Sequence, residues 1–552
     1  MTSLSTYWHT LRYLRPVQLY GRLWFRLAPP RVDRRAPPPR RQPTKPWVHP
    51  AQREPSLQGP DRFCFLNETH CLSDVGWDNS TLEKLWRYNL HYFDDLNAAG
   101  AERRTDWHRA LLQRWIQENR PAEGTPWEPY PTSLRMVNWI KWALSGHELP
   151  ADVVHSLAIQ ARWLRKRIET HLRGNHLFSN AKALAFSGAF FEGAEADAWL
   201  KQGLDILASE VNEQILPDGG HFERSTMYHA LAFEDMLDLL NLTGAYPDLF
   251  APWRESVVGW KDAAVRMGRW LAAVCHPDGE ISFFNDAAIG IAPAPISLFE
   301  YALRLGVPCD AAPRTGVTWL QDSGYVRVQH GYAVMIADVA KIGPDYLPAH
   351  AHADTLSFEL SIGRHRVLVN SGTSRYGIGP ARDRERSTGA HNTVEIDGQN
   401  STEVWAGFRA ARRAYPFDVR VVAGSDHTEV EAAHDGYRRL SGRPVHRRRW
   451  VMKESALTVE DSIEGTGVHA IRVLLHFGPD FYLTPVSTSE ILANWGNGDV
   501  CLTIRMDDKL VCEVTPEMWH PRFGATRENI CIGGQYRGPL PVRLLTQLSW
   551  QT

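Results

Sequence analysis

Cysteine is scarce in the sequence, and no two cysteines are close enough along the chain to suggest a pair. There are seven in 552 residues, with no Cys-x-x-Cys motif. Disulfide frameworks and cysteine zinc knuckles both depend on an even set of closely spaced cysteines. The sequence therefore indicates neither, and we expect the cysteines to be mostly reduced thiols.

Long hydrophobic runs are also missing. Near the N-terminus, Arg12, Arg15, Arg22 and Arg26 interrupt every apolar run, so this segment lacks the continuous hydrophobic core of a signal peptide. No other stretch approaches the roughly 18 to 20 apolar residues that span a membrane. The default prediction is a cytoplasmic protein without a membrane span, and a periplasmic or secreted location stays open.

Neither sign of charge dominates, since the formal net charge is −2. We therefore predict no nucleic-acid partner, and any polyanion must be held by a local basic patch. Aromatic residues are abundant, with 21 tryptophans, 17 tyrosines and 20 phenylalanines. Such residues fill large cores or form stacking platforms for sugar rings. The length predicts two or three packing units.

The pattern of apolar residues divides the chain. Residues 28–46 are rich in proline and arginine and read as an extended tether after a short N-terminal helix. From about 80 to 310 the apolar spacing is helical, as in "MYHALAFEDMLDLLNL", and after about 318 it alternates, as in "TLSFELSIGRHRVLVNSG". Helices followed by strands predict two domains, the second with antiparallel sheets.

Two stretches of the helical half concentrate polar residues. In "GNHLFSNAKALAFSGAFFEG", Asn175 and His176 precede a predicted helix capped by Ser179 or Asn180, an arrangement that suits a carboxylate. In "PDGGHFERSTMYHALAFED", a helix predicted to begin near Ser225 carries Tyr228 in its first turns. A tyrosine there can act as a general acid or base, or be an ordinary core residue.

Two further stretches bring histidines to the strand half. His350 and His352 in "LPAHAHADTLSFEL" point to one side if a strand already runs through them, and His391 stands at the entry of another strand in "RSTGAHNTVEIDG". Two histidines and an oxygen ligand make a site for zinc or another first-row divalent ion. The same spacing also arises by chance among 23 histidines.

Taken in order, "GNHLFSNAKALAF", "DGGHFERSTMYH", "HAHADTLSFEL", "VLVNSGTSRYG" and "RSTGAHNTVEIDG" resemble the heparinase II/III-like polysaccharide lyases. The resemblance covers most of residues 80 to 480. It implies an N-terminal incomplete α/α toroid followed by an antiparallel β-sandwich, with the active cleft between them. The predicted parts are residues 1–46 (helix and tether), 47–315 (toroid) and 316–552 (β-sandwich).

The resemblance also implies roles for individual residues. Asn175, supported by His176, would neutralise the carboxylate of a uronic acid. Tyr228 would protonate the leaving O4 and, in a syn elimination, also act as the base at C5. His350 would be the second catalytic group, as a base for the opposite C5 epimer or as a partner in neutralising charge.

A divalent metal, zinc or manganese, is implied at His352 and His391, with Asp354 as a supporting partner. The family usually has an aspartate in the motif that corresponds to "VLVNSG", and this chain has Asn370 there. Because a neutral amide oxygen binds a divalent cation less well than a carboxylate, this departure weakens the expected site.

Substrate contacts are predicted from charge and aromaticity. Glu223 and the loop arginine Arg386 are candidates, and other arginines on the same loops could meet sulfates or carboxylates. Upstream, Tyr88, Asn89, Trp127 and Arg135 could line the cleft. The loop arginines are residues 382, 384, 386, 409, 412 and 413. The four upstream residues lie in the aromatic stretches "LWRYNLHYFDDL" and "TPWEPYPTSLRMVNW".

The leading prediction is a lyase that cleaves an anionic polysaccharide, a glycosaminoglycan such as hyaluronan, chondroitin sulfate or heparan sulfate, by β-elimination. A different class, a non-catalytic carbohydrate-binding protein of a bacterial polysaccharide assembly or export system, is the alternative. A glycoside hydrolase would need a pair of carboxylates as acid and base or nucleophile, which Glu223 and Asp218 do not obviously supply.

Overall fold

A computed structural model describes residues 4–309, 315–496 and 498–551. Helices occupy most of the chain up to residue 304, and strands occupy most of it from residue 316 onward. The change of period predicted near residue 318 is therefore confirmed. The helices of the first part are α1 Leu4–Leu11, α2 Pro16–Leu27, α3 Leu72–Val75, α4 Lys84–Tyr92, α5 Thr105–Glu118, α6 Pro129–Leu144, α7 Ala151–Arg165, α8 Gly174–Phe190, α9 Ala194–Gln214, α10 Thr226–Ala245, α11 Pro247–Phe250, α12 Arg254–Val274 and α13 Pro295–Arg304.

These helices form an incomplete α/α toroid. Helix α8 packs against α6 and α9, and α10 packs against α12. Close approach of α8 and α9 depends on Gly203, where an added Cβ would lie 2.7 Å from the Ala181 carbonyl oxygen. Tryptophans 86, 115, 139, 142, 199 and 270 are fully buried in this half, so the large aromatic content serves mainly its core. A short hairpin, β1 Arg62–Phe65 and β2 Glu68–Cys71, precedes the toroid helices.

The second half consists of two large antiparallel sheets, a two-stranded sheet formed by β9 and β10, and a short helix, α14 Pro380–Glu385. Its strands are β3 Gly316–Leu320, β4 Tyr325–His330, β5 Ala333–Asp338, β6 Phe358–Ile362, β7 His365–Leu368, β8 Val394–Ile396, β9 Val404–Trp405, β10 Arg409–Ala410, β11 Pro416–Ala423, β12 Thr428–His434, β13 Val445–Met452, β14 Ala456–Glu464, β15 Val468–Phe477, β16 Phe481–Pro485, β17 Glu490–Trp495, β18 Cys501–Met506, β19 Val511–Arg522, β20 Ala525–Pro539 and β21 Val542–Trp550.

One sheet has the strand order β19-β20-β15-β7-β6-β5-β4-β3, with β8 beside β15. The other has the order β11-β12-β13-β14-β21-β18-β17-β16. Phe358 of the first sheet and Trp450 of the second belong to one buried cluster, and their rings lie 6.2 Å apart. Two sheets that share a core in this way form a β-sandwich.

Strands β4 and β5 form an antiparallel hairpin, and β6 and β7 form the next one, as the alternating pattern after residue 318 predicted. The polar face of β6 is not solvated, however. Glu359 accepts a hydrogen bond from His276 Nε2 at 2.8 Å, and Ser361 Oγ lies 2.7 Å from His276 Nδ1. This face therefore packs against the end of α12, and it holds the two domains together.

The N-terminal part contains two helices where one was predicted, and the segment 28–46 follows them without further helix. The tether is attached to the toroid, since Arg41 N donates to the Phe190 carbonyl at 2.8 Å. None of the helices in the described residues is both long and apolar enough to cross a bilayer. The predicted boundaries at residues 46 and 315 stay predictions.

Candidate active site

A cavity of about 1030 Å³ lies between the toroid and the β-sandwich. Both domains contribute polar and aromatic side chains to its wall. The toroid supplies Tyr88, Asn89, Tyr130, Asn175, His176 and Tyr228, and the β-sandwich domain supplies His350, Tyr376, Arg382 and Phe408. All four predicted catalytic residues therefore line one cavity, together with Tyr88 and Asn89 of the predicted substrate contacts.

Tyr228 is positioned by the start of α10. Ser225 caps this helix and accepts a hydrogen bond from Tyr228 N at 3.1 Å, so the helix begins where the sequence predicted. The Tyr228 hydroxyl lies 3.0 Å from the hydroxyl of Tyr376. Burial, and next the Tyr376 phenol, raise the pKa of Tyr228 well above its ordinary value. Tyr228 is therefore protonated at neutral pH and can donate a proton.

His350 stacks on Tyr228, with ring centroids 3.8 Å apart and planes inclined by 29°. Its Nδ1 lies 2.9 Å from Asp286 Oδ2. An ionised carboxylate only accepts hydrogen bonds, so Nδ1 carries the proton. The Nε2 atom is 3.6 Å from the nearest Glu223 carboxylate oxygen, beyond hydrogen-bonding distance. Nε2 is therefore the atom of His350 that can accept a proton.

Asp286 joins several groups of the β-sandwich domain to the toroid. Besides His350, its carboxylate contacts His352 Nε2 at 2.9 Å and accepts two hydrogen bonds from the guanidinium of Arg382. Burial by itself would raise the pKa of Asp286, but Arg382 and the two histidines hold it well below its ordinary value. We expected one strand to align His350 with His352. Strand β6 begins only at Phe358, and Asp286 aligns the two imidazoles instead.

Asn175 and His176 lie in the first turn of α8, which begins at Gly174. The prediction that Ser179 or Asn180 caps this helix is wrong, because both lie inside it. Asn175 Nδ2 lies 3.4 Å from the hydroxyl of Tyr130. Burial opposes protonation of His176, but Glu169, 3.2 Å from its Nδ1, raises the pKa of the imidazole above its ordinary value. An amide donor and an imidazole with a raised pKa are thus adjacent in the wall.

His352 and His391 form a histidine pair behind the cavity. His352 Nδ1 and His391 Nε2 are 3.2 Å apart, and an Asp354 carboxylate oxygen lies within 4.8 Å of both. His391 Nδ1 donates to the Ser387 carbonyl at 2.7 Å, and His352 Nε2 donates to Asp286. Both facing nitrogens therefore present lone pairs, which repel each other unless a proton or cation lies between them. The donor set of two imidazoles and a carboxylate suits a zinc-like ion.

Asn370 was predicted as the oxygen ligand of this site. Its side-chain amide instead donates to the Phe283 carbonyl at 3.0 Å, and its Oδ1 accepts a hydrogen bond from Asn392 N at 3.1 Å. Asp354, which was expected to support His352, offers the carboxylate oxygen in its place. The candidate group is therefore His352, Asp354 and His391.

Four predicted substrate residues do not line the cavity. Trp127 packs among tryptophans of the toroid core, and the guanidinium of Arg135 lies 4.0 Å over the ring of Trp115. Arg386 is fully buried and donates to the Ala351 carbonyl. Glu223 is buried behind His350. Aromatic and charged spacing along the chain did not distinguish these internal positions from the cavity wall.

The loop arginines expected to meet sulfates already have other partners. Among the described residues, those partners are carboxylates or backbone carbonyls, except for Arg409, whose guanidinium lies over an indole ring. The pairs are Arg382 with Asp286, Arg384 with Glu517, Arg386 with the Ala351 carbonyl, Arg409 with Trp405, Arg412 with Glu403 and Arg413 with Asp345.

Two important residues were not predicted. Asp286 follows "SFFN" in a loop of the toroid, and Tyr376 lies in "NSGTSRYG", a motif in which only Asn370 had been considered. Tyr376 could have been noticed as the aromatic residue that ends a Gly/Ser-rich loop. Nothing local marks Asp286, because its partners come from residues at least 64 positions away.

Comparisons with known proteins agree over nearly the whole chain. The family described as Heparinase II/III N-terminus matches residues 74–296, and the family described as Heparinase II/III-like, C-terminal matches residues 312–547. A solved structure of heparinase III has a TM-score of 0.67 at 18% identity, covering 85% of this chain and 76% of that one. At this identity the structural likeness shows the fold alone.

Two curated relatives are more similar in sequence. The heparin-sulfate lyase of Bacteroides stercoris is 28% identical over 246 residues, which are 41% of this chain and 36% of the lyase. The match thus spans about a third of that relative's length. The FtsZ-localized protein C of Caulobacter vibrioides (strain NA1000 / CB15N) is 25% identical over 448 residues, covering 75% of this chain and 72% of the relative.

Replacing Arg382 tests the role of the buried ion pair. Arg382→Met leaves the Asp286 carboxylate buried without its main cation, and we expect a loss of about 3–5 kcal/mol in the free energy of unfolding. The control is Arg384→Met in the same helix, whose ion pair with Glu517 is partly exposed and should cost at most about 1 kcal/mol. Urea unfolding measures both. Equal losses would contradict the central position given to Asp286.

Proposed function

The chain belongs to the heparinase II/III-like superfamily, and we propose that it cleaves a uronic-acid-containing polysaccharide by β-elimination in the interdomain cavity. The contact between the Tyr228 and His350 rings carries this proposal. It brings a protonated phenol of the toroid next to an imidazole of the β-sandwich domain whose Nε2 can accept a proton. Asn175 and His176 line the same cavity and suit the carboxylate of the substrate.

The chemical difficulty is the C5 proton of a uronate, which is weakly acidic while the neighbouring carboxylate keeps its charge. Asn175 Nδ2 donates a hydrogen bond to that carboxylate, and His176 next to it, whose raised pKa favours its protonated form, stabilises the charge that develops. Donors preorganised in this way typically contribute on the order of 10²–10³ in rate. The function of this part of the wall is thus to make the C5 proton removable.

The proton transfers are then assigned to the stacked pair. His350 Nε2 takes the C5 proton, the electron pair forms the C4–C5 double bond, and the bond from C4 to O4 breaks. Tyr228 gives its phenolic proton to the departing O4. His350 then releases its proton to solvent, and Tyr228 regains one. Asp286 keeps His350 in the tautomer that this step requires.

The alternative of a non-catalytic carbohydrate-binding protein is not favoured. A binding surface has no need for a high-pKa phenol stacked on an imidazole of fixed tautomer. A hydrolase is not favoured either, because the acid and base candidates at this point of the cavity are a tyrosine and a histidine, while Glu223 is buried behind the latter.

Removing the acid or the carboxylate-binding amide should abolish turnover. Tyr228→Phe and Asn175→Ala are each expected to lower kcat at least about 10²-fold while the thermal unfolding midpoint changes little. The assay follows ultraviolet absorbance of the unsaturated uronate with hyaluronan, unsulfated chondroitin and alginate. The matched control is Tyr482→Phe on the exposed surface of β16, which should be fully active.

Three results of this assay would count against the proposal. An active Tyr228→Phe enzyme removes the assignment of the acid. New reducing ends without ultraviolet absorbance indicate hydrolysis. Retention on immobilised polymer without cleavage, in the wild type, indicates a binding protein.

We further propose that the preferred polymer carries few sulfates. Seven lysines and arginines line the cavity, and each already has a carboxylate within 4.0 Å. The pairs are Arg53–Glu234, Lys84–Glu128, Lys141–Asp238, Lys182–Asp235, Arg375–Glu83, Arg382–Asp286 and Arg522–Glu54. Taking a sulfate into this cavity would leave it near carboxylates and without a free cation, which costs affinity.

The substrate preference is tested with two polymers that share one backbone. We expect kcat/KM to be at least about tenfold higher for unsulfated chondroitin than for chondroitin sulfate, because one poorly paired anion costs about 1.4 kcal/mol or more. An equal or higher value for the sulfated polymer would overturn the preference but leave the lyase assignment standing.

We also propose that His352, Asp354 and His391 hold a divalent metal, zinc or manganese. Such an ion would supply positive charge between the facing nitrogens and fix the two loops behind His350. The three residues orient these loops, while the proton transfers above use none of them. Asn370 keeps its hydrogen bonds to the Phe283 carbonyl and Asn392 N in this arrangement.

Metal content can be measured without reference to activity. Elemental analysis of purified protein should find about one ion per chain, and a chelator should lower the thermal unfolding midpoint. His391→Ala should lose the ion. The control is His446→Ala. His446 Nδ1 lies 3.3 Å from His434 Nε2 in a different histidine pair, and this variant should keep the ion. Wild-type protein that is free of metal and insensitive to chelator and to added zinc or manganese would contradict the assignment.

A further inference from the structure

Helix α2 turns its apolar side away from the protein. Leu19, Leu23 and Leu27 recur every four residues, and Tyr20 and Trp24 lie beside them, so the five side chains form one stripe. All five are exposed, Leu23 by 62% and Trp24 by 73%. A helix that merely covers a soluble domain buries such a stripe, and this helix does the opposite.

The inner side of α2 is small or polar, with a single aromatic residue. Gln18 is buried and donates to the Tyr346 carbonyl at 3.1 Å. At Gly21, an added Cβ would lie 2.8 Å from the Cβ of His171. Phe25 packs on the same His171 ring, with centroids 4.5 Å apart. These contacts attach α2 to both the toroid and the β-sandwich domain in one orientation, so the outward direction of the stripe follows from packing.

Helix α1 also exposes an apolar stripe, and it contacts the β-sandwich domain. Leu4, Tyr7, Trp8 and Leu11 have the i, i+3, i+4, i+7 spacing of one helix face, and all are exposed, Leu4 by 91%. Thr10 Oγ1 accepts a hydrogen bond from Trp405 Nε1 at 3.1 Å, which attaches α1 to the β-sandwich domain. The apolar side chains that the two helices expose are hereafter called the N-terminal face.

Exposed large hydrophobic side chains are concentrated in this face more than elsewhere on the molecule. Nine of the 21 large hydrophobic side chains that are exposed in the described residues lie between residues 4 and 27. Scattered exposed apolar residues are normal on a soluble protein, but a contiguous patch marks an interaction surface. A concentration of exposed leucine, tryptophan and tyrosine side chains of this kind is typical of a surface that contacts a partner.

The charged residues around the N-terminal face indicate which class of partner it binds. Residues 1–46 contain ten lysines and arginines and one acidic residue, although the whole chain has a net charge of −2. Arg12, Arg22 and Arg26 border the apolar stripes, and among the described residues none has a carboxylate within ion-pair distance. The charges felt most strongly by Arg22 are those of Arg409 and Arg26, both cations. In the part of the chain that the structure describes, no carboxylate therefore neutralises these three arginines.

We propose that the N-terminal face rests on an anionic lipid membrane. Leucines and tryptophans of α1 and α2 would enter the boundary between headgroups and acyl chains, and the bordering arginines would contact lipid phosphates. Interfacial helices combine this apolar face with this basic border, and tryptophan and tyrosine favour that depth. Association through a second copy is disfavoured, because a symmetric contact brings the unpaired arginines of both copies together.

Vesicle flotation of the full chain tests the proposal. The protein is expected to float with vesicles of equimolar phosphatidylcholine and phosphatidylglycerol, and more weakly with phosphatidylcholine alone. Raising the salt concentration from about 0.1 M to about 1 M shortens the Debye length from about 10 Å to about 3 Å. This should reduce the difference in flotation between the anionic and the phosphatidylcholine vesicles. The double substitution Arg22→Ala with Arg26→Ala should remove most of that difference.

The apolar contribution is tested by a paired substitution with a matched control. Leu23→Glu with Trp24→Glu should lower the partition coefficient at least about tenfold, with the thermal unfolding midpoint unchanged. The control is Leu303→Glu on α13, where the leucine is also exposed, and it should bind vesicles like the wild type.

Three outcomes would overturn the proposal. Wild-type protein that does not float with the anionic vesicles excludes a membrane partner. Flotation that is unchanged by the Leu23 and Trp24 substitutions places the contact elsewhere. A dimer that sedimentation detects without lipid, and that the same substitutions dissociate, assigns the N-terminal face to a second copy.

Discussion

Asp286 lies fully buried between the toroid and the β-sandwich, and an ionised carboxylate in that position needs positive partners. Arg382 provides the charge, while His350 and His352 supply hydrogen bonds, and all three come from the β-sandwich domain. One carboxylate therefore joins the domains, sets the tautomer of the imidazole next to Tyr228, and orients the imidazole that faces His391. The seam between the domains and the chemistry of the cavity depend on the same group.

The cavity next to this seam is polar but close to electrically balanced. Its lysines and arginines are paired with carboxylates, and its phenols are buried or half-buried. A balanced wall does not attract polyanions over long distances. Recognition then depends on short-range hydrogen bonds and on aromatic surfaces, of the kind that Asn175, Tyr88 and Tyr130 offer. This is the physical basis for expecting a carboxylated polymer with few sulfates.

The positive charge that the cavity lacks is found at the N-terminus. Helix α1 rests on the β-sandwich domain, helix α2 contacts both domains, and both helices expose leucines and tryptophans. A surface that contacts both domains can only stay continuous while the seam is closed. The orientation of the N-terminal face is thus linked, through the domain seam, to the contacts around Asp286.

The sequence by itself determined the order of helices and strands, because hydrophobic period is a local property of each segment. It also indicated candidate site residues, because the motifs around Asn175, Tyr228 and His350 can be read along the chain, and all three residues line the cavity. The predictions for Trp127 and Arg135 failed because the same pattern of aromatic and charged residues describes both a cleft wall and a packed core.

Only the tertiary structure decided which groups meet. The Asp286 partners lie 64 to 96 positions away, so no local pattern could place this carboxylate between two histidines and an arginine. It also decided that Asn370 completes backbone hydrogen bonds while Asp354 faces the histidine pair, and that α2 buries Gln18 and exposes Trp24. In each case the deciding factor is the direction of a side chain, which depends on neighbours from distant parts of the chain.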